Sequence, residues 1–468
     1  RDRLRSRGLG DVYKRQLYGT NAIGGVINII TDDVKNAINV SSDTRYASKG
    51  RFTQSVNIDV NTGKFGSYTS YRRQQAEGWQ LNPYEENSKT HELEETGKVA
   101  STGFYANTVN QKFTFDATDK LSFYARGGYY DNKTRRPYEA YDYNILHETF
   151  NYGIGAQYMI NKGNYITADC YADHFSSSYC FFKDNKTYNG KAGEEQVRKR
   201  TRNHNLSIKG IFKLGNRHKL SVGTEYIVDV LKSQTDNIAK EDAYTLALFA
   251  QDEIKLLRNL QALIGVRYIY HENFKNHATP NVALMYKPGK FNFRASYAAG
   301  FRTPTLSELY ATDIAKKNDR LTIGNLDLKP EKNNYFSLSA EYVHERFSVS
   351  VNAFYNNIRD MIDYNTIATG DKAMEQYGHK EVRQRDNIAE AKVHGINVSA
   401  NAYLGAGFNL SGGYTHLNTQ DVELGQPIDK SIKNAYNINA QWAHSWKIYR
   451  LNINLNGRFN SKRFSKSY

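Results

Sequence analysis

The chain has 468 residues and a formal net charge of +15, and no apolar run in it approaches the roughly 18 residues that a membrane-spanning helix requires. Tyr (36) and Phe (22) are abundant, Pro (7) and Cys (2) are scarce, and no Pro-, Gly- or Ser-rich linker divides the chain into the several domains that its length would suggest. Lys and Arg are spread along the sequence rather than gathered into one stripe, so we expect no nucleic-acid partner.

The first 16 residues, RDRLRSRGLGDVYKRQ, carry five Arg and one Lys against two Asp and so supply +4 of the net charge. They contain no apolar core of seven or more residues, so they are not a signal peptide. We interpret residues 1–16 as a non-native arm outside the fold, which implies that the native N-terminus is missing. The alternative is a genuine basic arm that contacts an anionic surface.

The stretch LYGTNAIGGVINIIT (17–31) comes next, and in it small residues lead into a run of Val and Ile. Glycine lets the backbone turn and pack closely, so Gly19, Gly24 and Gly25 predict a turn. Residues 26–30 predict a buried strand directly after that turn.

Alternation of apolar and polar residues recurs through the rest of the chain. In RFSVSVNAFYN (346–356), Phe347, Val349 and Val351 fall on one face of an extended strand, and the Ser and Asn residues fall on the other. HKLSVGTEYIV (218–228) and LNINLN (451–456) follow the same pattern. These segments predict strands with one apolar and one polar face, which explains a low mean hydropathy together with 13% aromatic residues.

Short turns and longer polar segments separate these strands in alternation. The predicted short turns lie at 61–64, 118–120, 161–164, 215–218, 257–259, 287–290, 343–346, 405–407 and 445–447. The longest polar segments lie at 74–107, 175–197, 299–333 and 357–384. Short turns at one end and long loops at the other are typical of outer-membrane barrels, whose closed sheet satisfies every backbone group within lipid. We therefore predict an all-β protein: a transmembrane antiparallel β-barrel with an apolar outer face and a polar lumen.

About 19 strands are predicted after residue 36. Bacterial single-chain barrels have an even number of strands, and the sequence ends at RFNSKRFSKSY, just beyond a strand. We therefore expect the C-terminal strands to be missing as well.

The two cysteines, Cys170 and Cys180, lie ten residues apart. On one extended strand they would be separated by about 33 Å and could not form a disulfide. A turn near residues 176–178 would instead allow the bond, so their redox state stays open.

Three stretches resemble motifs of the TonB-dependent outer-membrane receptors. Residues 17–31 resemble the end of the plug domain of that family, and AGFRTPTLSELY (299–310) and GNLDLKPEKNNYFSLSAEY (324–342) resemble its paired boxes around a long extracellular loop. The plug-motif residues are Leu17, Tyr18, Gly19, Ala22, Gly24, Gly25, Val26 and Asn28. The box residues are Phe301, Arg302, Pro304, Leu306, Glu308, Asn325, Leu328, Pro330 and Glu331.

A fourth stretch, NIAEAKVHGINVSANAYL (387–404), resembles a late barrel strand of these receptors but has Asn397 where they usually have Glu. The resemblance as a whole implies a 22-stranded barrel with an N-terminal plug. On that basis residues 17–33 are the remnant of a plug and residues 34–468 are a barrel that lacks about three strands. The TonB box that precedes the plug is also expected to be missing.

The resemblance further implies active import rather than catalysis. The expected partners are the TonB–ExbB–ExbD complex, outer-membrane lipids and a scarce small nutrient, and the expected location is the outer membrane of a diderm bacterium. The sequence shows no nucleophile–base pair, phosphate loop or zinc spacing. The paired acids Glu85/Glu86 and Glu194/Glu195 lie in predicted loops, where they are interpreted as solvated charge.

The ligand expected first is cobalamin or a related corrinoid. The segment GGYYDNKTRRPYEAYDYN (127–144) is similar to a loop of the cobalamin receptor in which acidic residues hold calcium. Calcium prefers hard oxygen ligands, so Tyr130, Asp131 and Asp142 are the candidate calcium ligands. The alternative is an ordinary solvated loop, since no dense acidic cluster is present.

A ferric-siderophore receptor is the second hypothesis. Siderophore sites of the family are rich in Arg and aromatic residues, which makes Arg135, Arg136 and Tyr138 candidates for substrate binding. Haem receptors of the family usually carry a His between the two boxes, and residues 305–323 contain none. A passive porin-like barrel is the third hypothesis, which the plug-like stretch disfavours.

Overall fold

The structure is a computed structural model that describes residues 37–80, 84–87, 90–95, 101–138, 141–315 and 319–465. Residues 1–36, which include the basic arm and the predicted plug motif, lie outside the described residues. The strands are β1 Ile38–Ala47, β2 Arg51–Asn61, β3 Phe65–Ala76, β4 Tyr84–Glu86, β5 Leu93–Glu95, β6 Gly103–Asp116, β7 Leu121–Arg135, β8 Tyr143–Asn161, β9 Asn164–Phe181, β10 Glu195–Leu214, β11 His218–Ser233, β12 Ile238–Leu257, β13 Leu260–His271, β14 Lys275–Tyr286, β15 Phe291–Arg302, β16 Thr312–Ala315, β17 Arg320–Ile323, β18 Glu331–Val343, β19 Phe347–Thr369, β20 Glu381–Gly405, β21 Phe408–Asp421, β22 Asn434–Ser445 and β23 Arg450–Asn460. The helices are α1 Leu306–Tyr310 and α2 Gly370–Tyr377.

One antiparallel sheet contains nearly all of these strands. Each strand pairs with the next in sequence, from β1 through β3, β6 to β15 and β18 to β23, which gives 19 strands within the described residues. β16 and β17 are added at the edge of the long hairpin β19–β20, where β17 runs parallel to β20. The predicted all-β class and strand number are confirmed. No pairing joins β1 to β23 in the part of the chain that the structure describes.

The apolar side chains point outward. Along the first part of β19, Phe347, Val349 and Val351 are exposed, whereas Ser348 and Ser350 are half-buried on the other side. We call the first side the outer face and the second the inner face. Exposed apolar residues on an outer face and polar residues on an inner face are the pattern of a lipid-spanning barrel.

All nine predicted short turns are present and lie at one end of the sheet, which we call the turn end. Exposed aromatic residues form a band on the outer face beside this end: Phe65, Phe113, Phe115, Phe123, Tyr158, Tyr286, Phe291, Phe293, Phe347 and Phe408. Neighbouring rings in this band touch, as in the stacked pair Phe65–Phe113, whose centroids lie 5.8 Å apart. Such a girdle is expected where an apolar band meets the membrane–water interface.

The opposite end, which we call the loop end, differs from the sequence prediction. Residues 175–181 and 357–369 were predicted to be loop, but they continue β9 and β19, because the inter-strand hydrogen bonds extend past the apolar part of each strand. The connections that are left after β9 and β19 are 182–194 and 370–380, and α2 occupies most of the second one. Three connections at this end are short rather than long, at 48–50, 234–237 and 272–274.

The inner face is not polar throughout, which corrects a second expectation. On β12, β13 and β14, Ala247, Leu263, Ile269 and Met285 alternate with exposed outer residues and are at most 1% exposed. The period of two shows that a strand has two different faces, but on these strands both faces are apolar in part. The alternation rule alone therefore could not identify this inner wall.

Cys170 and Cys180 both lie on β9 and are both free. Because no turn separates them, the extended spacing applies and they do not bridge.

Among the described residues, no helix is long and apolar enough to cross a membrane.

Candidate ligand-binding site at the loop end

A cluster of aromatic rings lies on the inner face at the loop end of β8 and β9. Tyr143 pairs with Phe181 across these strands, and Tyr179 lies two residues from Phe181 on the same face. Tyr143 stacks on Tyr179 with 4.1 Å between ring centroids, and Tyr188, from the connection 182–194, contacts both rings at 5.8 and 5.2 Å. We call Tyr143, Tyr179, Phe181 and Tyr188 the aromatic cluster.

Two guanidinium groups lie over the aromatic cluster. The Arg198 guanidinium lies 5.4 Å from the Tyr179 ring centre and 5.0 Å from that of Tyr188. The Arg136 guanidinium lies 4.9 Å from the Tyr143 ring centre. Arg198 Nη1 donates to Gln234 Oε1 at 2.8 Å, while its Nε is buried without a hydrogen-bond partner in the described chain. Planar cations beside aromatic faces suit an anionic, aromatic ligand.

The connection 182–194 holds Tyr188 in place through backbone and side-chain bonds. The backbones of Asn185 and Gly190 exchange two hydrogen bonds of 2.8 and 3.0 Å, and Tyr188 N donates to Asn185 Oδ1 at 2.9 Å. Asn185 Nδ2 donates to Asp142 Oδ2 at 2.7 Å, which ties the connection to the neighbouring loop. A Cβ at position 190 would lie 2.5 Å from the Phe181 ring, so any other residue there must displace the ring or the connection.

The tyrosine hydroxyl in this connection stays protonated. Burial, and next the neighbouring Tyr143 hydroxyl, raise the pKa of Tyr188 above its usual value of 10.0. At neutral pH Tyr188 is therefore a neutral hydrogen-bond donor and adds no negative charge to the cluster.

The structure brings two of the three predicted substrate-binding residues to this region. Arg136 lies over the cluster, and the Tyr138 ring stacks on Phe182 with 5.3 Å between centroids. Arg135 is the last residue of β7 and is exposed on the outer face, where its Nη2 lies 3.5 Å from the Ala76 carbonyl. The substrate-binding role of all three stays a prediction.

The three predicted calcium ligands do not meet. Tyr130 and Asp131 belong to β7 rather than to a loop, and Asp131 accepts hydrogen bonds from Asn107 Nδ2 at 3.1 and 3.2 Å. Asp131 pairs with Glu148, six residues from Asp142, so Asp142 lies about 20 Å further along the strand direction. No group of three or more His, Cys, Asp or Glu side chains could hold a metal ion within the described ranges. These three residues thus cannot share one ion. Whether the protein uses calcium as a cofactor stays a prediction.

The two family boxes converge on Arg302. This side chain, at the end of β15, binds Glu331 at the start of β18 through Nε–Oε2 (2.8 Å) and Nη2–Oε1 (2.6 Å). Its Nη1 also donates to Glu308 Oε2 at 2.9 Å. Glu308 in turn closes a capping box with Thr305 at the start of α1, and Ile362 N donates to Glu331 Oε1 at 2.9 Å. The boxes therefore form an ion-pair clamp that fixes the segment 303–330.

The other box residues support this clamp. Leu328 packs with Leu309 and Ile362 in a small buried core, and Pro304 and Pro330 are buried at the two ends of the segment. Leu306 begins α1, Asn325 N donates to the Glu308 carbonyl at 3.1 Å, and Phe301 stacks on His277 with 4.6 Å between rings.

The fourth motif also meets the clamp. Asn387 Nδ2 donates to the carbonyls of Lys329 (2.8 Å) and Asp360 (2.7 Å), and its Oδ1 accepts from Lys329 N at 2.7 Å. These residues order the loop end.

Sequence reasoning missed the central members of the cluster: Tyr179, Phe181, Tyr188 and Arg198. The aromatic run YCFF (179–182), followed by RKR (198–200), was a usable signal, since the two runs lie at the two ends of the connection 182–194. The sequence pattern hides it, because residues 175–197 read as one long polar segment.

Comparison with known proteins places the chain in a family. Residues 52–468 match the family described as TonB dependent receptor-like, beta-barrel. The probable hemoglobin and hemoglobin-haptoglobin-binding protein 4 of Haemophilus influenzae is 28% identical over 165 residues, which are 32% of this chain and 16% of that protein. The matched segment thus spans less than a fifth of this curated relative.

Two solved structures are similar in fold. A mutant of the ferric enterobactin receptor PfeA of Pseudomonas aeruginosa has a TM-score of 0.76 and 17% identity, over 91% of this chain and 69% of that chain. The siderophore receptor PirA of the same organism has a TM-score of 0.71 and 16% identity, over 95% of this chain and 77% of that chain.

Proposed function

Because this chain belongs to the TonB-dependent receptor β-barrels, a family of outer-membrane proteins, we propose that it serves TonB-dependent import of a ferric siderophore. The observation that carries this proposal is the aromatic cluster with Arg136 and Arg198 at the loop end. A siderophore of the catecholate type presents an anionic iron centre surrounded by aromatic rings. Stacking and cation–π contacts favour the rings, and the guanidinium groups favour the anion.

The similar proteins support the iron-containing class of ligand. PfeA is a ferric enterobactin receptor and PirA a siderophore receptor, and the curated relative binds hemoglobin according to its name. A siderophore is placed before haem because residues 305–323 contain no His. Cobalamin, favoured by the resemblance of residues 127–144, is placed second because its proposed calcium ligands lie apart.

The energy source and partners belong to the same proposal. TonB, with ExbB and ExbD, would supply the force that opens the lumen, as in the family that the sequence resembles. Uptake that continues without TonB would favour a passive porin-like barrel instead.

The test is a titration of the receptor with four ligands: a ferric tris-catecholate, hemin, cyanocobalamin with calcium and cyanocobalamin without it. We expect saturable binding of the ferric catecholate, weakened about tenfold by Arg198→Ala, since one charge-assisted contact is worth about 1.5 kcal/mol or more. Arg258→Ala is the matched control, because it removes the same charge from the exposed turn between β12 and β13 at the turn end and should leave binding unchanged. Binding of cyanocobalamin alone would contradict the siderophore proposal.

A further inference from the structure

The outer face of β6 to β10 carries a groove that begins at the aromatic band and extends toward the loop end. The groove has a volume of about 530 Å³ and is lined chiefly by apolar side chains, with Phe115 and Phe123 on one side and Ile154 and Leu206 on the other. Its floor is made by the small residues Ala168 and Cys170. Both Ile154 (64% exposed) and Leu206 (49%) stand at the height of the apolar band, so the groove opens toward the membrane interior.

Above the groove, the same strands carry basic residues on the same face. Residues of the outer face on β10 succeed one another from Leu206 through His204 and Arg202 to Arg200, all exposed. Arg202 pairs with His174 on β9, and Arg200 pairs with Lys232 on β11. At a rise of about 3.3 Å per residue, Arg200 lies about 20 Å along the strand from Leu206.

The positive charges are not balanced within the described chain. Arg200 and Lys232 are directly opposite across β10 and β11, an arrangement that is destabilising for like charges. No ion pair joins Arg200, Arg202 or Lys232 to an acid within the described residues. Of the acids on this face, Asp242 pairs with Lys240 at 3.3 Å, Glu148 accepts from the Tyr129 hydroxyl at 2.8 Å, and Glu195 Oε2 lies 3.9 Å from Cys180 Sγ. A bound anion would offset the repulsion.

Aromatic rings join the two features. Tyr152 contacts His174 with 5.8 Å between ring centroids, and His174 contacts His204 at 5.4 Å. The surface thus changes from apolar, through aromatic, to cationic along one line. Tyr and Trp rings are enriched at the membrane–water interface, between the hydrocarbon core and the charged headgroups. The order of side chains on this surface therefore matches the order of polarity along a lipid molecule.

We propose that this surface binds one phosphorylated membrane lipid, with its phosphate at Arg200, Arg202 and Lys232 and one acyl chain in the groove. Guanidinium groups bind phosphate through paired charge-assisted hydrogen bonds, and basic residues beside a membrane attract anionic headgroups. The small floor residues leave room for a chain that larger side chains would exclude.

The test counts lipids on the detergent-solubilised full chain by native mass spectrometry during titration with bis-phosphorylated lipid A. We expect one lipid to bind tightly and its dissociation constant to rise about tenfold or more in the double variant R200A/R202A, as lost charge-assisted bonds predict. The matched control K199A/K209A removes two charges from the inner face of the same strand and should bind like the wild type. Equal binding by R200A/R202A and K199A/K209A would overturn the proposal.

A second pair of variants tests the groove. Ala168→Phe fills the floor and should weaken lipid binding severalfold, whereas Ala278→Phe adds the same ring to the outer face of β14 and should not. Both residues are exposed toward lipid, so neither change disturbs a packed core.

Inorganic phosphate and dephosphorylated lipid A should compete weakly. Full displacement by inorganic phosphate would show a free anion site and overturn the lipid assignment.

Discussion

Arg302 and Glu331 are direct partners across β15 and β18 and are joined by two hydrogen bonds of 2.8 and 2.6 Å. They are 29 residues apart in sequence, and the whole segment 303–330 emerges between them. Glu331 is 8% exposed, so this bidentate pair is largely removed from water. The pair is the centre of the ion-pair clamp and holds the two ends of the segment 303–330 together. Glu308 links α1 to the same clamp through its hydrogen bond with Arg302.

Replacing Arg302 by Ala should loosen the segment 303–330 without unfolding the sheet. Two nearly buried carboxylates would lose their partner, which typically costs about 3 kcal/mol. The measurement is hydrogen exchange, and protection should fall across 303–330. Arg294→Ala is the control, because Arg294 meets Glu341 between the same strands at 3.4 Å and should cost only about 1 kcal/mol. Unchanged protection in Arg302→Ala would contradict the conclusion that the ion-pair clamp fixes this segment.

The same segment should respond to acid through Glu308. Burial raises the pKa of Glu308, but hydrogen bonds from Arg302 and from Thr305 outweigh it, so the pKa lies below its usual 4.5. A depressed carboxyl pKa stabilises the folded loop above pH 4.5, and this stability is lost as the pH falls through the depressed value.

Exchange protection of 303–315, corrected for the intrinsic rate, should therefore decrease below about pH 4.5. Glu308→Gln keeps the shape but cannot titrate, so its protection should be lower at neutral pH and should vary less with acid. An identical pH profile in both proteins would rule out this role of Glu308.

Gly190 should be intolerant of any side chain. A methyl group at this position would lie 2.5 Å from the Phe181 ring, so Gly190→Ala must displace either the ring or the connection 182–194. Overpacking of this kind costs about 1–3 kcal/mol and should weaken ligand binding at the aromatic cluster. Gly127→Ala serves as control, since its nearest neighbour would be 3.8 Å away. The readout is the affinity for the ferric catecholate, and equal affinities of the two variants would exclude the steric account.

Cys170 and Cys180 should remain unlinked under oxidation while the sheet is folded. Both lie on β9, about 33 Å apart along the strand. After mild oxidation and proteolysis, mass spectrometry should find no bridged peptide from the folded protein. The unfolded chain in denaturant is the internal control, because a flexible loop of this length closes readily. A bridged peptide from folded protein would mean that β9 turns between the two residues.

Much of the architecture could be predicted from local patterns. The sequence alone identifies the two faces of β19, with Phe347, Val349 and Val351 on one of them, because alternation of period two depends only on neighbouring residues. The nine short turns followed from local turn chemistry. The extent of β9 and β19 beyond the apolar band did not follow, because polar strands are held by partners that the sequence does not name.

The candidate site shows the same division. Arg302, Glu308 and Glu331 could be singled out by their resemblance to family boxes, yet only the pairing of β15 with β18 brings their charges together. Tyr179 and Arg198 lay in no motif, and their meeting with Tyr143 depends on the register of three strands and one ordered connection.

By itself, then, the sequence determined that this is an all-β membrane barrel, because each strand's alternation and each turn's chemistry act over a few residues. Only the tertiary structure decided which side chains meet at the loop end and which basic residues share one line on the outer face. The physical reason is that register and strand length are set by hydrogen bonds between segments far apart in the chain, and a shift of one residue would move every side chain to the other face.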